Sequence, residues 1–248
     1  MPVQFTDRWG GHREGLSYED CVCWHLLLGA DAGVRSAVGD VQRRLSRFRG
    51  MHMTPIRWLH ATVLQVGPAA EITDSDAKNM LTTVAAALAD APAVAASLGR
   101  VLYGAEGIAL ELSPAAALSP VLDAAREATL KATGTTGSVD HIESAWKPHM
   151  TVCYSTVEQP AAPVIAELGK AIPACEITID RLSLVIQNGP EQLWDWQVIG
   201  SAPLGVSAHP RAAPDVGRLR SRVRPARPGP HRGPDQPHQA AGHRARRR

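Results

Sequence analysis

The sequence predicts an α+β fold, and three observations carry that prediction. Runs of bulky and β-branched residues alternate with helix-spaced segments in the order β-α-β-α-β-β-α-β-α-β-β. The helical segments are amphipathic, so each has one face to bury against a sheet. One strand-like pattern, His-x-Thr followed by an apolar run, recurs half a domain apart. It stands at His60-Ala61-Thr62-Val63-Leu64 and again at His149-Met150-Thr151-Val152-Cys153. The recurrence gives the element order a rough twofold character, with one such strand in each half.

The elements follow in chain order. Residues 1–16 are polar and Gly-containing and read as a loose arm. Residues 20–28 read as a buried strand. Val34, Val38, Val41, Leu45 and Phe48 recur at helical spacing, with Arg43, Arg44, Arg47 and Arg49 on the other sides as a solvated face. Residues 56–66 form the first motif strand. A second helix is expected over about 74–90, capped by Asp74 or Thr73, with Ala77, Leu81, Val84 and Leu88 inward. Strands at 93–103 and 106–112 flank the turn Gly104-Ala105-Glu106-Gly107. A third helix over 115–132 turns Leu118, Val121, Leu122, Ala125 and Thr129 inward. Residues 133–138 read as flexible. The second motif strand spans 147–155, and a short helix 163–171. Residues 176–187 and 193–199 are expected to pair as two strands across Asn188-Gly189-Pro190.

The chain has 248 residues, enough for one good-sized core or two small lobes. Its four cysteines, Cys21, Cys23, Cys153 and Cys175, form no Cys-x-x-Cys pair, which argues against a zinc site or a disulfide framework. No run has signal-peptide or membrane-spanning character, so a cytoplasmic protein is expected. The net charge of +2 hides an asymmetry: residues 1–200 carry −7 and residues 201–248 carry +9. That last segment is rich in Arg and Pro, lacks aromatic residues and is expected to be a disordered tail. It is either a basic arm for RNA or a tail without function, whose bias also fits a shifted reading of a GC-rich gene.

On a strand, residues i and i+2 share a face. Each motif therefore presents one imidazole and one hydroxyl together. Two such strands facing each other would give two titratable bases and two neutral donors around a small anion. The competing account is two ordinary half-buried histidines. A third copy, His52-Met53-Thr54, is read as accidental because Pro55 interrupts a ladder at once.

The motifs, with the opening strand Val22-Cys23-Trp24-His25-Leu26-Leu27-Leu28, resemble the 2H phosphoesterases, the superfamily of the 2′-5′ RNA ligases and RNA 2′,3′-cyclic phosphodiesterases. The resemblance covers roughly residues 17–200, read as one domain of two half-domain lobes. It implies a bilobal pseudo-twofold fold, with two antiparallel sheets lining a central cleft and helices outside. It implies His60 and His149 as the catalytic acid and base, in an order the sequence leaves open, and Thr62 and Thr151 as phosphate donors. The substrate class implied is 2′,3′-cyclic phosphates on RNA ends or small cyclic nucleotides, opened without metal or cofactor by a monomer that binds no membrane. Weak 2′-5′ RNA ligation in the same geometry is implied as well. Trp58, Trp146, Lys147 and Arg57 are candidate substrate contacts. His25 and His141 read as structural or rim residues, and Tyr154, opposite in phase to His149, as core. The second motif lacks the basic residue that commonly follows it in the family, which weakens the case for tight RNA-phosphate binding. Other readings are a phosphodiesterase for 2′-5′ oligonucleotides or ADP-ribose 1″,2″-cyclic phosphate, and an RNA- or nucleotide-binding module of the same fold with little turnover.

Overall fold

A computed structural model of the chain describes residues 1–10, 20–138 and 146–205. The candidate His141 and the tail beyond residue 205 lie outside these. The strands are β1 (Gln4–Phe5), β2 (Cys21–Leu27), β3 (Met51–Met53), β4 (His60–Pro68), β5 (Val94–Tyr103), β6 (Gly107–Ser113), β7 (His149–Ser155), β8 (Gln159–Pro160), β9 (Ala171–Ile179), β10 (Arg181–Gln187) and β11 (Trp196–Pro203). The helices are α1 (Ala32–Leu45), α2 (Asp74–Ala87), α3 (Ala115–Thr133) and α4 (Ala162–Leu168).

Helix boundaries follow their caps. The Asp31 carboxylate accepts from Val34 N to start α1. Thr73 and Asp76 close a reciprocal capping box on α2. Gly134, in the left-handed region, ends α3. The apolar stripes expected for these helices are buried, apart from Phe48, which lies just past α1 and is half-buried.

Two antiparallel sheets dominate. One has the order β11-β10-β2-β4, the other β3-β7-β6-β5-β9. Helices α2 and α3 pack together behind the first, while α1 lies against the second and α4 packs on α1. The two motif strands, β4 in one sheet and β7 in the other, contact each other. The sheets are therefore joined along the strands that carry His60 and His149.

The twofold character is real, but the lobes are not the two halves of the sequence. Strands β5 and β6 join the sheet of β7, whereas β10 and β11 complete the sheet of β2 and β4. The single strand expected over residues 176–187 is two. β9 pairs with β5 in one sheet, Asp180 breaks the run, and β10 pairs with β2 in the other.

Three further expectations change. The N-terminal segment is not loose over residues 1–10: β1 pairs with β8, Phe5 is fully buried, and Arg8 is clamped between Glu106 and Glu191. The copy at His52 does not lie in a turn: Met51–Met53 pairs with β7 as an edge strand. The fold also runs past residue 200: β11 continues to Pro203, and Leu204 is buried. Among the described residues no helix is long and apolar enough to cross a membrane.

Candidate active site

The first motif begins its strand rather than sitting in mid-strand. Pro55 fixes an extended residue, residues 56–58 make one 3-10 turn, and β4 starts at His60. Gly29 makes room for that turn: a Cβ there would lie 2.4 Å from the Ile56 carbonyl oxygen. Leu28 N and Gly29 N both donate to the Leu59 carbonyl, which ties the end of β2 to the entry of β4.

The two motif strands share one backbone irregularity. His25 lies opposite Thr62 and Trp24 opposite Leu64, so Val63 is an extra residue in β4. Ala109 lies opposite Thr151 and Ile108 opposite Cys153, so Val152 is an extra residue in β7. In both strands the burial sequence is the same: half-buried His, buried, half-buried Thr, two buried in succession, then half-buried again. A bulge resets the alternation of faces. After it, Tyr154 returns to the side of His149 and Thr151 and lines the cleft with them. This overturns the expectation that Tyr154 is core. Strict alternation gives the wrong face because the bulge is set by pairing with β6, which the sequence of β7 alone does not display.

The cleft brings together His60, Thr62, His149 and Thr151 with Cys23, His25, Tyr154, Gln187, Glu191 and Trp194. Its enclosed space is small, about 40 Å³, on the scale of one phosphate-sized group rather than a nucleotide. Each motif histidine is held the same way. His60 Nδ1 lies 2.7 Å from the Trp58 carbonyl oxygen and His149 Nδ1 lies 2.8 Å from the Lys147 carbonyl oxygen. A carbonyl only accepts, so Nδ1 carries the proton in each ring. In the neutral ring Nε2 is then the basic nitrogen. Trp58 and Lys147 contribute through their backbones.

The four expected substrate contacts are not among the side chains lining the cleft. The Trp58 indole packs on Trp196 with ring centroids 4.7 Å apart, and Arg57 lies over its ring at 5.0 Å. Lys147 is exposed, and Trp146 is half-buried against the main core. Arg100 pairs with Glu111, which stands opposite His149 on β6. Among the described residues no Lys or Arg lines the cleft, and the Glu191 carboxylate in its lining is paired with Arg8, so an anion there would find its donors among hydroxyls, an amide and imidazoles.

His25 is the residue the sequence undervalued. Its ring stacks on His60 at 4.1 Å between centroids and 19° between planes. Its Nε2 lies 3.5 Å from Thr62 Oγ1. Burial, and then the charge of a protonated His60, hold its pKa well below the ordinary 6.5, so it is neutral. The signal available was register: β2 is the neighbour of β4, and His25 has the cleft-facing phase.

An aromatic wall closes the other side. Trp194 adopts a left-handed backbone (φ 53°) and is 4% exposed. Its ring stacks on Tyr154 at 5.8 Å and meets His60 edge-on at 6.3 Å. Its indole N–H donates to His52 Nε2 at 3.4 Å. Arg8 secures this segment: Nη2 and Nε reach Glu191 at 3.1 Å, and Nη1 reaches Glu106 at 2.8 Å. Burial lowers the Arg8 pKa, but hydrogen bonding and charge from Glu191, with Tyr154 and Glu106, outweigh it and raise the value overall. Burial pushes the Cys153 thiol up to about 12, which leaves it a neutral packing group. Among the described residues no group of three His, Cys, Asp or Glu side chains could hold a metal ion.

Comparison with solved structures places this architecture among known folds. It is similar to TT0787 of Thermus thermophilus, with TM-score 0.55, 18% identity, and 75% of this chain and 99% of that one covered. It is also similar to E. coli LigT complexed with ATP, with TM-score 0.54, 12% identity, and 75% and 98% covered. LigT complexed with 3′-AMP gives TM-score 0.52, 13% identity, and 75% and 97% covered. At such identities these likenesses speak for the fold alone. No curated protein matches the chain by sequence. The family model described as the 2′-5′ RNA ligase superfamily matches residues 36–191, a span that includes both motif strands. The chain belongs to the 2′-5′ RNA ligase superfamily, the 2H phosphoesterases.

Proposed function

We propose that the protein is a metal-independent phosphoesterase that opens 2′,3′-cyclic phosphates of RNA ends or small nucleotides by two-histidine acid/base catalysis. The observation that supports this best is the matched pair of imidazoles. Both line one cleft, and both have Nδ1–H fixed on the carbonyl two residues earlier. In the reaction, neutral Nε2 of one ring takes a proton from water as its oxygen attacks phosphorus. The other ring, protonated, gives its Nε2 proton to the departing ribose oxygen. Thr62 and Thr151 hydroxyls donate to the non-bridging oxygens as negative charge grows there. Which ring does which depends on the oxygen that leaves. A 2′-phosphomonoester is the expected product, and the same path with a 5′-hydroxyl attacking in place of water gives weak 2′-5′ ligation.

The small cleft suits the phosphate and leaves base and sugar toward its mouth. The complexes of LigT with ATP and 3′-AMP support the choice of a nucleotide substrate. With no Lys or Arg among the described residues that line the cleft, the imidazolium is the positive charge that the cleft lining offers to the anion. The test is turnover of 2′,3′-cyclic AMP and of a short RNA with a cyclic phosphate end, with chelator present. Wild type should turn over, while His60→Ala and His149→Ala should each lose on the order of 10²–10⁴-fold in kcat. Equal rates in the variants would remove the assignment. Nucleotide binding without turnover would make the protein a binding module, and loss of activity in chelator would make it a metal hydrolase.

A further inference from the structure

The mechanism proposed above gives His25 no chemical step, yet His25 touches both functional side chains of the first motif. It comes from β2, which is hydrogen-bonded to β4, and it stands directly opposite Thr62. Cross-strand partners point to the same face. That register puts an imidazole where it lies flat against His60, at 4.1 Å and 19°, and within 3.5 Å of the Thr62 hydroxyl through Nε2. Trp196 meets both rings edge-on, at 5.6 Å from His25 and 5.7 Å from His60, and so borders the stacked pair. Only 5% of His25 is exposed.

The same register position is filled differently in the second motif. The residue opposite Thr151 is Ala109, whose side chain carries neither a ring nor a hydrogen-bonding atom. The two half-sites share a bulge, a burial pattern and a carbonyl anchor for the histidine, and they differ here. A carbonyl bond at Nδ1 fixes one end of an imidazole but leaves the plane free to swing about that bond. A flat partner at van der Waals contact removes that freedom.

We propose that His25 is a positioning residue for the reaction assigned above: it sets the plane of His60 by stacking and orients the Thr62 hydroxyl through Nε2. Both groups served are those that act on the phosphate. His25 itself is assigned no proton exchange with substrate: it lines the cleft but is only 5% exposed, with its ring stacked on His60. The fixed plane directs His60 Nε2 along one line, and a general acid or base that must meet an oxygen within hydrogen-bond reach depends on that line. The proposal rests on the proposed function for its kinetic part and on geometry alone for the rest.

The test uses the full chain with His25→Ala and His25→Phe, with folding checked by circular dichroism. His25→Ala removes the flat partner and the Thr62 contact. His25→Phe keeps the flat partner and removes only the contact. On 2′,3′-cyclic AMP, His25→Ala should lose about 10–100-fold in kcat with KM changed less than about threefold, and His25→Phe should recover at least half of that loss on a logarithmic scale. Independently of turnover, proton NMR of the His60 Nδ1–H bound to the Trp58 carbonyl should show a protected downfield resonance in wild type and His25→Phe. The resonance should broaden or vanish in His25→Ala. A residue that only fills space would lower stability and leave kcat and this resonance alone. A folded His25→Ala with wild-type kcat, with its loss confined to KM, or with the resonance intact overturns the proposal. If wild type shows no turnover, the catalytic reading fails and the resonance alone decides the positioning claim.

Discussion

Acidification should destabilise this protein through His25, by an amount that can be worked out. The ring is fully buried beside Trp196, His60 and Thr62, with Ser183 opposite on β10. Burial first, then the neighbouring His60, depress its folded pKa well below 6.5. In the unfolded chain the ring titrates near 6.5. Below that pH the unfolded state binds a proton that the folded state refuses, so stability is full above 6.5 and falls as pH drops. The slope approaches about 1.4 kcal/mol per pH unit. Between about pH 7.5 and 5.0 the loss from this one ring is about 2 kcal/mol if it stays neutral throughout. Against a typical total of about 5–15 kcal/mol that is a large share. His25→Phe removes the proton-binding site and keeps the ring volume. Urea unfolding of both proteins across this pH range should show nearly equal stabilities at the upper end. At the lower end the wild type should fall short of the variant by about 2 kcal/mol, or about 1 M in midpoint for a slope near 2 kcal/mol/M. All other titrating groups are common to the two proteins and cancel. A difference that stays flat across the range would refute the claim that His25 is held neutral.

Arg8→Met should cost about 2–3 kcal/mol in urea unfolding. That is below the roughly 3–5 kcal/mol of a fully buried pair, because Arg8, Glu106 and Glu191 keep 17%, 19% and 17% of their side-chain exposure. Adding Glu106→Gln and Glu191→Gln should recover part of it. Gln187→Met should instead raise thermal stability, by about 1 kcal/mol, because buried Gln187 Nε2 has no hydrogen-bond partner among the described residues; a lower melting temperature would contradict that. Thr62→Val and Thr151→Val should each reduce kcat on the order of 10²-fold while leaving the unfolding free energy within about 1 kcal/mol, if the hydroxyls serve the transition state. Steady-state kinetics beside the unfolding curve checks both halves of that statement.

Much of the site was legible because strand phase is local. The pairs His60/Thr62 and His149/Thr151 share a face by period two alone, and the structure brings them into one cleft. The helix stripes were legible for the same reason at period 3.6. What escaped depended on partners. The bulges at Val63 and Val152 arise between strands, so Tyr154 was assigned to the wrong face. The division of residues 176–187 into β9 and β10 is set by two sheets competing for one apolar run, and Asp180 is its only mark in the sequence. Trp58 shares the face of His60 only if residues 56–60 are one strand, and Pro55 starts a turn there instead. His25 and Gln187 come from strands far from either motif, and only the β2–β4 and β2–β10 pairings carry them toward it. The segment at Arg8 has no periodicity to read; its place is fixed by two carboxylates distant in sequence.

The strand order has a consequence for how the chain is made. β2 lies between β4 and β10, and 153 residues separate its end at Leu27 from the start of β10 at Arg181. During synthesis the first motif strand finds β2 early, but the opposite edge of β2 stays open until nearly the whole fold has emerged. An open, apolar strand edge invites pairing with other chains. The half carrying His60 is therefore not an autonomous unit. A ribosome pause or a truncation before Arg181 should yield aggregating chains rather than a half-active lobe, and because β10 and β11 follow β7 in the chain, any single break between the two motifs parts them from β2, so the two fragments should fold only when expressed together.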